Sequence, residues 1–423
     1  MKKSISILLI LVLVLGLAAC TQTPKEELPA SNDNTTVTPK DEPAKEEKQA
    51  QGVTDTEIIV ANSAATSGAF APVGVPFNAG IEAYFKMIND AGGVNGRKIT
   101  FKHQDDEFDP VKGKAILSNY IEDDKVFAIV GHFGTPVVGG TLEDLKEAGI
   151  PAVYFATGIG QLYNDNAVGR DRNIFPVQPI YKTEGQIMVA RAVGDFGAKK
   201  IGVIYTNDDA GKDLLWGAEK KAKELGIELV AEQVTAGATD VSSAVTTIKN
   251  ANVDFIIGAA IQATIPTIIK ELAAQGVNKD VITTYVNVAP VIAASVVNEI
   301  AGKFDVYGNG WVSFEGDRMN ALEEFAKHTP EYADNAYAMT GWIAASFFTE
   351  GLKRVEGTIT WDKYMDALES APINNPFGGS IDFGNGLRAG TQEMNLSKIV
   401  HTNLDGLWEV TKPLQSIDGI LGN

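Results

Sequence analysis

Residues 57–103 open with Glu57-Ile58-Ile59-Val60-Ala61, continue through a longer amphipathic run and end on Ile99-Thr100-Phe101-Lys102-His103. In the middle run Phe77, Ile81, Tyr84, Phe85 and Ile88 recur at i, i+4, i+7, i+8 and i+11, the spacing of one buried helical face. A strand, a helix and a strand in that order form a crossover, and crossovers of this length join parallel strands. The unit then repeats. Strands are expected at 127–131 and 152–155, with helices at 111–121 and 137–148. A second series follows Asn173-Ile174-Phe175-Pro176, with a helix at 183–196 and strands at 201–205, 228–232, 254–258 and 281–286. Helices at 317–327, 336–354 and 361–368, a Gly-rich hairpin at 378–390 and strands at 396–401 and 407–410 complete the pattern. This is an α/β chain with parallel sheets, and about 370 residues exceed what one hydrophobic core serves, so two lobes with a cleft between them are expected.

The composition narrows the function. Of 423 residues 44% are hydrophobic and 21% charged, which is globular. The 54 acidic residues against 36 basic give a net charge of −18, which argues against a nucleic-acid partner because no extended positive face is available for phosphates. A single cysteine excludes an internal disulfide and a cysteine-based zinc site, and His103, His132, His328 and His401 are too scattered for a local metal motif. No metal and no cofactor are expected.

At the amino terminus Lys2 and Lys3 precede an apolar run over 5–19 that ends at Leu17-Ala18-Ala19-Cys20. The run is short for a hydrocarbon core of roughly 30 Å, and residues 1–20 read as a signal peptide. Leu-Ala-Ala-Cys resembles the bacterial lipobox, which implies a diacylglyceryl group on Cys20 and lipid anchoring at the extracytoplasmic membrane face; a secretory signal or short anchor with an incidental cysteine is the alternative. Loss of the two lysines leaves 34 basic against 54 acidic residues, or −20. Two acyl chains give stable attachment where one does not. Residues 21–52 are rich in Pro, Glu, Lys and Thr, with Leu28 and Val37 the only large aliphatic side chains, and read as a disordered tether.

In open parallel sheets ligands sit beyond the carboxyl ends of the strands. There the chain places Gly131-His132-Phe133-Gly134-Thr135-Pro136, with Thr135 expected as N-cap and Pro136 as first helical residue. Free N–H groups, a hydroxyl and the positive end of a helix would face an anion, although an ordinary cap needs the same residues. Phe155-Ala156-Thr157-Gly158 repeats the arrangement one strand later, and two such turns would grip one carboxylate. Ala65-Thr66-Ser67-Gly68-Ala69-Phe70 is a third loop on that edge, with Phe70 either facing ligand or plugging the lobe. Asn207-Asp208-Asp209-Ala210-Gly211-Lys212 offers acids either to a cationic ligand group or to a helix dipole. Asp105-Asp106-Glu107 reads as a solvated acidic turn. No nucleophile-and-base pattern, P-loop, nucleophile elbow or dinucleotide fingerprint is present, so no catalytic residue is expected.

Val73-Gly74, the stretch Ile88-Asn89-Asp90-Ala91-Gly92-Gly93-Val94-Asn95-Gly96-Arg97-Lys98-Ile99, Gly134-Thr135-Pro136, Phe155-Ala156-Thr157-Gly158, Thr183-Glu184-Gly185, Asn207-Asp208-Asp209 with Gly211-Lys212-Asp213, and Phe383-Gly384 together resemble the branched-chain amino acid (leucine/isoleucine/valine) binding proteins of ABC importers. The likeness runs from about Val53 to the C-terminus, and 92–97 is its specific part. It implies a type I periplasmic binding fold: two Rossmann-like lobes, 53–177 with 286–378 and 178–285 with 379–423, joined by crossings near 175–178, 283–287 and 379–383 and closing around ligand. It implies a solute receptor that is not an enzyme and works with a permease and an ATPase, or a sensory lipoprotein of the same fold. The hydroxyl matching Thr135, the carbonyl matching Phe155, and the hydroxyl and N–H matching Thr157 would hold an amino acid's carboxylate and amine, with Phe133 and Ala156 beside them and Val73 in the side-chain pocket. The second lobe departs from the family. Thr284-Tyr285-Val286-Asn287 stands where an acid for the α-ammonium is expected, and Ala210 and Ile261 replace pocket tyrosines. An ammonium enclosed without a carboxylate is costly. Either Asp208 or Asp209 serves it, with Ile261 and Asn287 nearby, or the ligand is an organic acid or amide lacking it.

Overall fold

The structure, a computed structural model, describes residues 48–400 and 408–422. The expected signal peptide, Cys20 and most of the expected tether lie outside the described residues. The folded body starts earlier than the expected residue 53: Ala50 N–H donates to Ile359 O at 2.9 Å, Gln51 Nε2 to Val126 O at 3.0 Å, and Ile359 N–H to Gln49 Oε1 at 2.7 Å. Hydropathy misses this because amide groups, not apolar side chains, do the anchoring.

The first sheet is built by β1 (Glu57–Ala64), α1 (Ala71–Asp90), β2 (Lys98–Asp105), α2 (Pro110–Glu122), β3 (Ala128–Phe133), α3 (Thr135–Ala148), β4 (Ala152–Ala156) and β5 (Ile174–Phe175). Its strands are all parallel, in the order β2-β1-β3-β4-β5. The second series is α4 (Tyr181–Gly194), β6 (Lys200–Thr206), α5 (Asp209–Leu225), β7 (Glu228–Val234), α6 (Ser242–Asn250), β8 (Phe255–Ala259), α7 (Ile265–Ala274), β9 (Val281–Thr283), α8 (Pro290–Ile300) and β10 (Val306–Gly310). Then come α9 (Arg318–His328), α10 (Ala336–Lys353), α11 (Trp361–Glu369), a small ladder of β11 (Ile373–Asn374) and β12 (Ser380–Ile381), then β13 (Glu393–Ile399), β14 (Trp408–Ser416) and α12 (Ile417–Leu421). The second sheet is ordered β14-β13-β10-β9-β8-β6-β7, parallel from β10 to β7 and antiparallel where β13 and β14 join. The strand order reverses at β1/β3 in one sheet and β6/β8 in the other, and such switch points open the crevices where ligands bind.

Two expected lobe boundaries need correction. The chain does not leave the second lobe at 283–287, because α8 and β10 follow and β10 pairs with β9 and β13. It crosses at Trp311–Ser313, where Ser313 N–H meets Phe377 O at 2.6 Å. Nor does it return at 379–383: Phe383 stays with the first lobe, edge-on to Phe175 at 5.2 Å, and the return runs through 389–392, where Thr391 N–H donates to Val177 O at 2.9 Å. The missed strand reads Val306-Tyr307-Gly308-Asn309-Gly310, and two glycines hide a strand from propensity. They are required there because a Cβ at Gly308 would stand 2.5 Å from Val288 Cγ2 and one at Gly310 2.3 Å from Asn395 Oδ1.

Each lobe seats a helix pair at close range. A Cβ on Gly80 of α1 would lie 1.9 Å from Ala338 O of α10, and one on Gly341 of α10 would lie 1.9 Å from Phe77 O. Gly185 of α4 and Gly217 of α5 repeat the reciprocal fit. This fixes the N-terminal ends of α1 and α4 beside the crevice.

Candidate functional site

A cavity of about 540 Å³ lies between the lobes. The loops after β1, β3 and β8 border it, as the switch points require.

Its polar corner is built at the start of α3. Gly134 precedes the helix at φ 88°, and a Cβ there would stand 2.6 Å from the Phe108 ring, so glycine is needed for conformation and for space. The helix begins at Thr135, one residue before the expected position, and no side chain caps it. The Thr135 hydroxyl is therefore free for other work: its Oγ1 lies 2.8 Å from Thr157 Oγ1, with both residues buried. The Tyr181 hydroxyl hydrogen-bonds both threonines, and burial pushes it up to about 12, so it stays a neutral donor. Three hydroxyls thus converge beside the free N–H groups of a helix N-terminus, a setting that favours an anionic or amide oxygen.

The opposite wall joins the lobes through side chains. Gln178, in the first crossing, donates to the Tyr154 hydroxyl at 2.7 Å and accepts from the Tyr285 hydroxyl at 2.9 Å. Tyr154 stands mid-strand in β4 at φ 66°, a strained conformation for an aromatic residue. Behind Tyr285, the fully buried Glu184 accepts from Thr284 Oγ1 at 2.6 Å, Tyr285 N–H at 2.8 Å and Asn309 Nδ2 at 3.2 Å. Burial nonetheless raises its carboxyl to about 7.

Apolar side chains line most of the rest. Phe70 faces the cavity and stacks on Phe108 with ring centroids 3.8 Å apart, so it lines the site as well as filling the lobe. The acidic turn that the sequence presents as solvated is the device that holds Phe108. Asp105 Oδ1 accepts from Thr66 and Glu107 N–H, and Asp106 Oδ1 accepts from Phe108 N–H, bracing Glu107 and Phe108 at φ 53° and 63°. Asp106 is fully buried, and that burial raises its carboxyl to about 6.

Of the sequence candidates, Thr135, Ala156, Phe133, Phe70, Val73 and Ile261 line this one cavity, and Thr157 stands behind Thr135. Four do not line it. The Phe155 ring packs on the other face of the sheet against His132, while the role the resemblance implies there belongs to its carbonyl. Asn287 is buried, donating to Ala260 O and Thr283 Oγ1. Asp209 is exposed on α5, and Asp208 is spent as the cap of that helix, accepting from Gly211 N–H at 2.8 Å. Neither aspartate lines the cavity. Sequence reading missed Gln178, Tyr181, Tyr285, Phe108 and Trp311; most lie in or beside the crossings, where no strand-end or glycine-turn pattern marks them. Among the described residues no group of three or more His, Cys, Asp or Glu could hold a metal ion.

Two parallel α/β lobes joined by three crossings around a hydroxyl-cornered cleft define a type I periplasmic binding protein, a class of solute-binding proteins rather than enzymes. This chain belongs to the periplasmic binding protein family, whose profile matches residues 57–403. It is 25% identical over 331 residues to a Leu/Ile/Val-binding protein homolog 1 of Brucella abortus, covering 76% of this chain and 85% of that relative. Among solved structures it is similar to a branched-chain amino acid ABC transporter protein of Thermus thermophilus with bound valine, at TM-score 0.75, 16% identity and coverage of 88% of this chain and 100% of the other. It is also similar to a fatty acid ABC transporter substrate-binding protein of Thermomonospora curvata, at TM-score 0.73, 20% identity and coverage of 89% and 96%. Membership of this family implies an extracytoplasmic location and a small-molecule ligand.

Proposed function

We propose that this protein is the lipid-anchored receptor of an ABC importer, which captures a carboxylate-bearing solute between its lobes and presents the closed form to a permease and ATPase. The observation that carries the reading is the convergence of the Thr135, Thr157 and Tyr181 hydroxyls at the uncapped start of α3. Helix N–H groups and neutral hydroxyls stabilise a carboxylate that has left water. The relative named for leucine, isoleucine and valine supports an amino acid, whereas the solved neighbours carry titles from valine to fatty acid at identities that speak only for the fold. Among the described lining residues only Asp334 is acidic, and it is exposed, which favours a carboxylate without an ammonium.

Thermal melting of the full chain with a panel of amino acids and organic acids tests the proposal. A ligand at 100 times its Kd stabilises by about 2.7 kcal/mol. At least one carboxylate is expected to raise Tm, and its methyl ester to do so far less. Lipid anchoring has its own test: Cys20→Ser should move the protein from the membrane to the soluble extracytoplasmic fraction.

A further inference from the structure

We infer that the cleft accommodates a monocarboxylate with a long unbranched apolar tail, in preference to a zwitterionic amino acid. This rests on the carboxylate-receptor reading above and deepens it.

Length is the first argument. The lining in the second lobe comes in succession from Ile261 after β8, Tyr285 after β9, Gly310 at the end of β10, Ser397 of β13 and Trp408 of β14. These are five neighbouring strands in the sheet order. Four inter-strand steps of about 4.8 Å give a path of roughly 19 Å. That is several times the ~3.5 Å spanned by the backbone of one residue. The volume of about 540 Å³ lies within the roughly 300–1,000 Å³ of pockets that take drug-sized ligands.

Chemistry is the second. The Thr135 and Tyr181 hydroxyls meet at one corner, while Trp311, Phe314, Leu322, Met339 and Val410 also line the cavity, and the polar Asn395 and Ser397 there are bonded within the protein, Asn395 to Val312 O and Ser397 to Asn395 Oδ1. Phe314 and Val410 remain 37% and 47% exposed, leaving apolar surface open to water at that part of the wall. A tail lying there would remove it from water.

Charge is the third. No Lys or Arg is among the described lining residues, and the one acid, Asp334, is solvent-exposed. Glu184 does not line the cavity, and its two oxygens already accept three hydrogen bonds. An ammonium carried beside the hydroxyl corner would be buried without a counter-charge, whereas a methylene in its place costs nothing.

The experiment measures binding of straight-chain alkanoates of 4 to 16 carbons, below micelle formation, and of valine, leucine and isoleucine, to the full chain stripped of co-purified ligand. Trp311 and Trp408 line the cavity and supply an intrinsic fluorescence signal. Kd is expected to fall about fourfold per methylene through the middle of the series and then level off. The three amino acids are expected to bind at least 100-fold more weakly than the best alkanoate. Ala326→Trp on α9 and Val410→Trp on the outer strand both fill the tail end at positions that are not fully buried. Each should bring the plateau to shorter chains and weaken the 16-carbon alkanoate far more than butanoate. Leucine binding more tightly than every alkanoate, or affinity flat with chain length, would overturn the inference and leave the receptor reading standing. Silence from every amino acid and carboxylate would bring down the receptor reading, and this inference with it.

Discussion

Asp213, on α5 of the second lobe, accepts a hydrogen bond at 2.5 Å from the backbone N–H of Gly160, in the loop after β4 of the first lobe. Lys182 Nζ stands 3.6 Å from the same carboxylate. Nearby, a Cβ on Gly139 of α3 would lie 3.4 Å from Asp209 Oδ2, so the two helices meet edge to edge. Further along the cleft the Tyr337 hydroxyl of α10 donates to Val286 O at 3.3 Å. These contacts tie one lobe to the other, so their loss favours an open form.

Asp213→Ala is therefore expected to weaken ligand binding about tenfold, which corresponds to loss of a charge-assisted hydrogen bond of ~1.5 kcal/mol. Most of the change should appear as faster dissociation, because the latch forms only when the lobes meet. Asp213→Asn retains an acceptor and should lose less. Stopped-flow dissociation rates read the effect directly; rates equal to wild type in the alanine variant would show that Asp213 does not hold the cleft shut.

The hydroxyl pair makes a separate prediction. Thr157→Val keeps the shape but leaves Thr135 and Tyr181 one partner short in a buried corner, at a cost of about 1–3 kcal/mol. Carboxylate affinity should fall by roughly 10- to 100-fold, with a comparable loss for Thr135→Val. Calorimetric titration of both variants checks it; unchanged affinity would place the carboxylate elsewhere.

Glu184 should make stability depend on pH in a definite direction. Burial is the largest influence and raises its carboxyl from an ordinary 4.5 to about 7, against the opposing pull of Thr284, Tyr285 and Asn309. The folded chain thus binds this proton more tightly than the unfolded chain. The group is no burden below about pH 4.5; its cost grows as pH rises towards 7 and is constant above. Gln at this position mimics the protonated acid, donating to Thr284 and accepting from Tyr285 and Asn309. Denaturant unfolding of wild type and Glu184→Gln at pH 5 and pH 8 should show a difference that moves in favour of Gln by an amount on the order of 3 kcal/mol. A difference that does not change with pH would refute the assignment.

The strands and helices that carry clean periodicity were legible in the sequence, and so were the turns of Thr135 and Thr157, because a hydroxyl and a glycine directly after an aliphatic strand mark its carboxyl end. What was not legible depends on where the chain crosses between lobes. Gly308 and Gly310 suppress the strand signal of β10, since Val288 and Asn395 occupy the space their side chains would need. With that strand hidden, the sequence pattern puts the second crossing too early and gives no signal for Trp311 in the cleft. Asp105-Asp106-Glu107 misled for a different reason. Consecutive acids usually indicate solvent, and Glu107 is indeed exposed, whereas Asp105 and Asp106 accept from backbone N–H groups and hold a strained turn under Phe108.

Gln178 is one of the side chains through which both lobes meet inside the site. Its amide N–H reaches the Tyr154 hydroxyl in the first lobe, and its carbonyl receives the Tyr285 hydroxyl of the second. Both tyrosines are buried, and burial raises their phenols so that each remains a neutral hydroxyl with a proton to place. Each has one further hydroxyl partner, Thr340 for Tyr154 and Tyr181 for Tyr285. Gln178→Leu fills the same space but takes one partner from each of the two buried hydroxyls, so it should destabilise the chain by about 2–4 kcal/mol. Tyr285→Phe should cost less, because it leaves the Gln178 carbonyl short of one donor and does not touch the bond to Tyr154. Introduced together, the two changes should cost well under the sum of their separate effects, a non-additivity of about 1 kcal/mol or more expected of groups in direct contact. A double-mutant cycle by denaturant unfolding measures this coupling, and strict additivity would mean that the Gln178 bridge does not join the lobes.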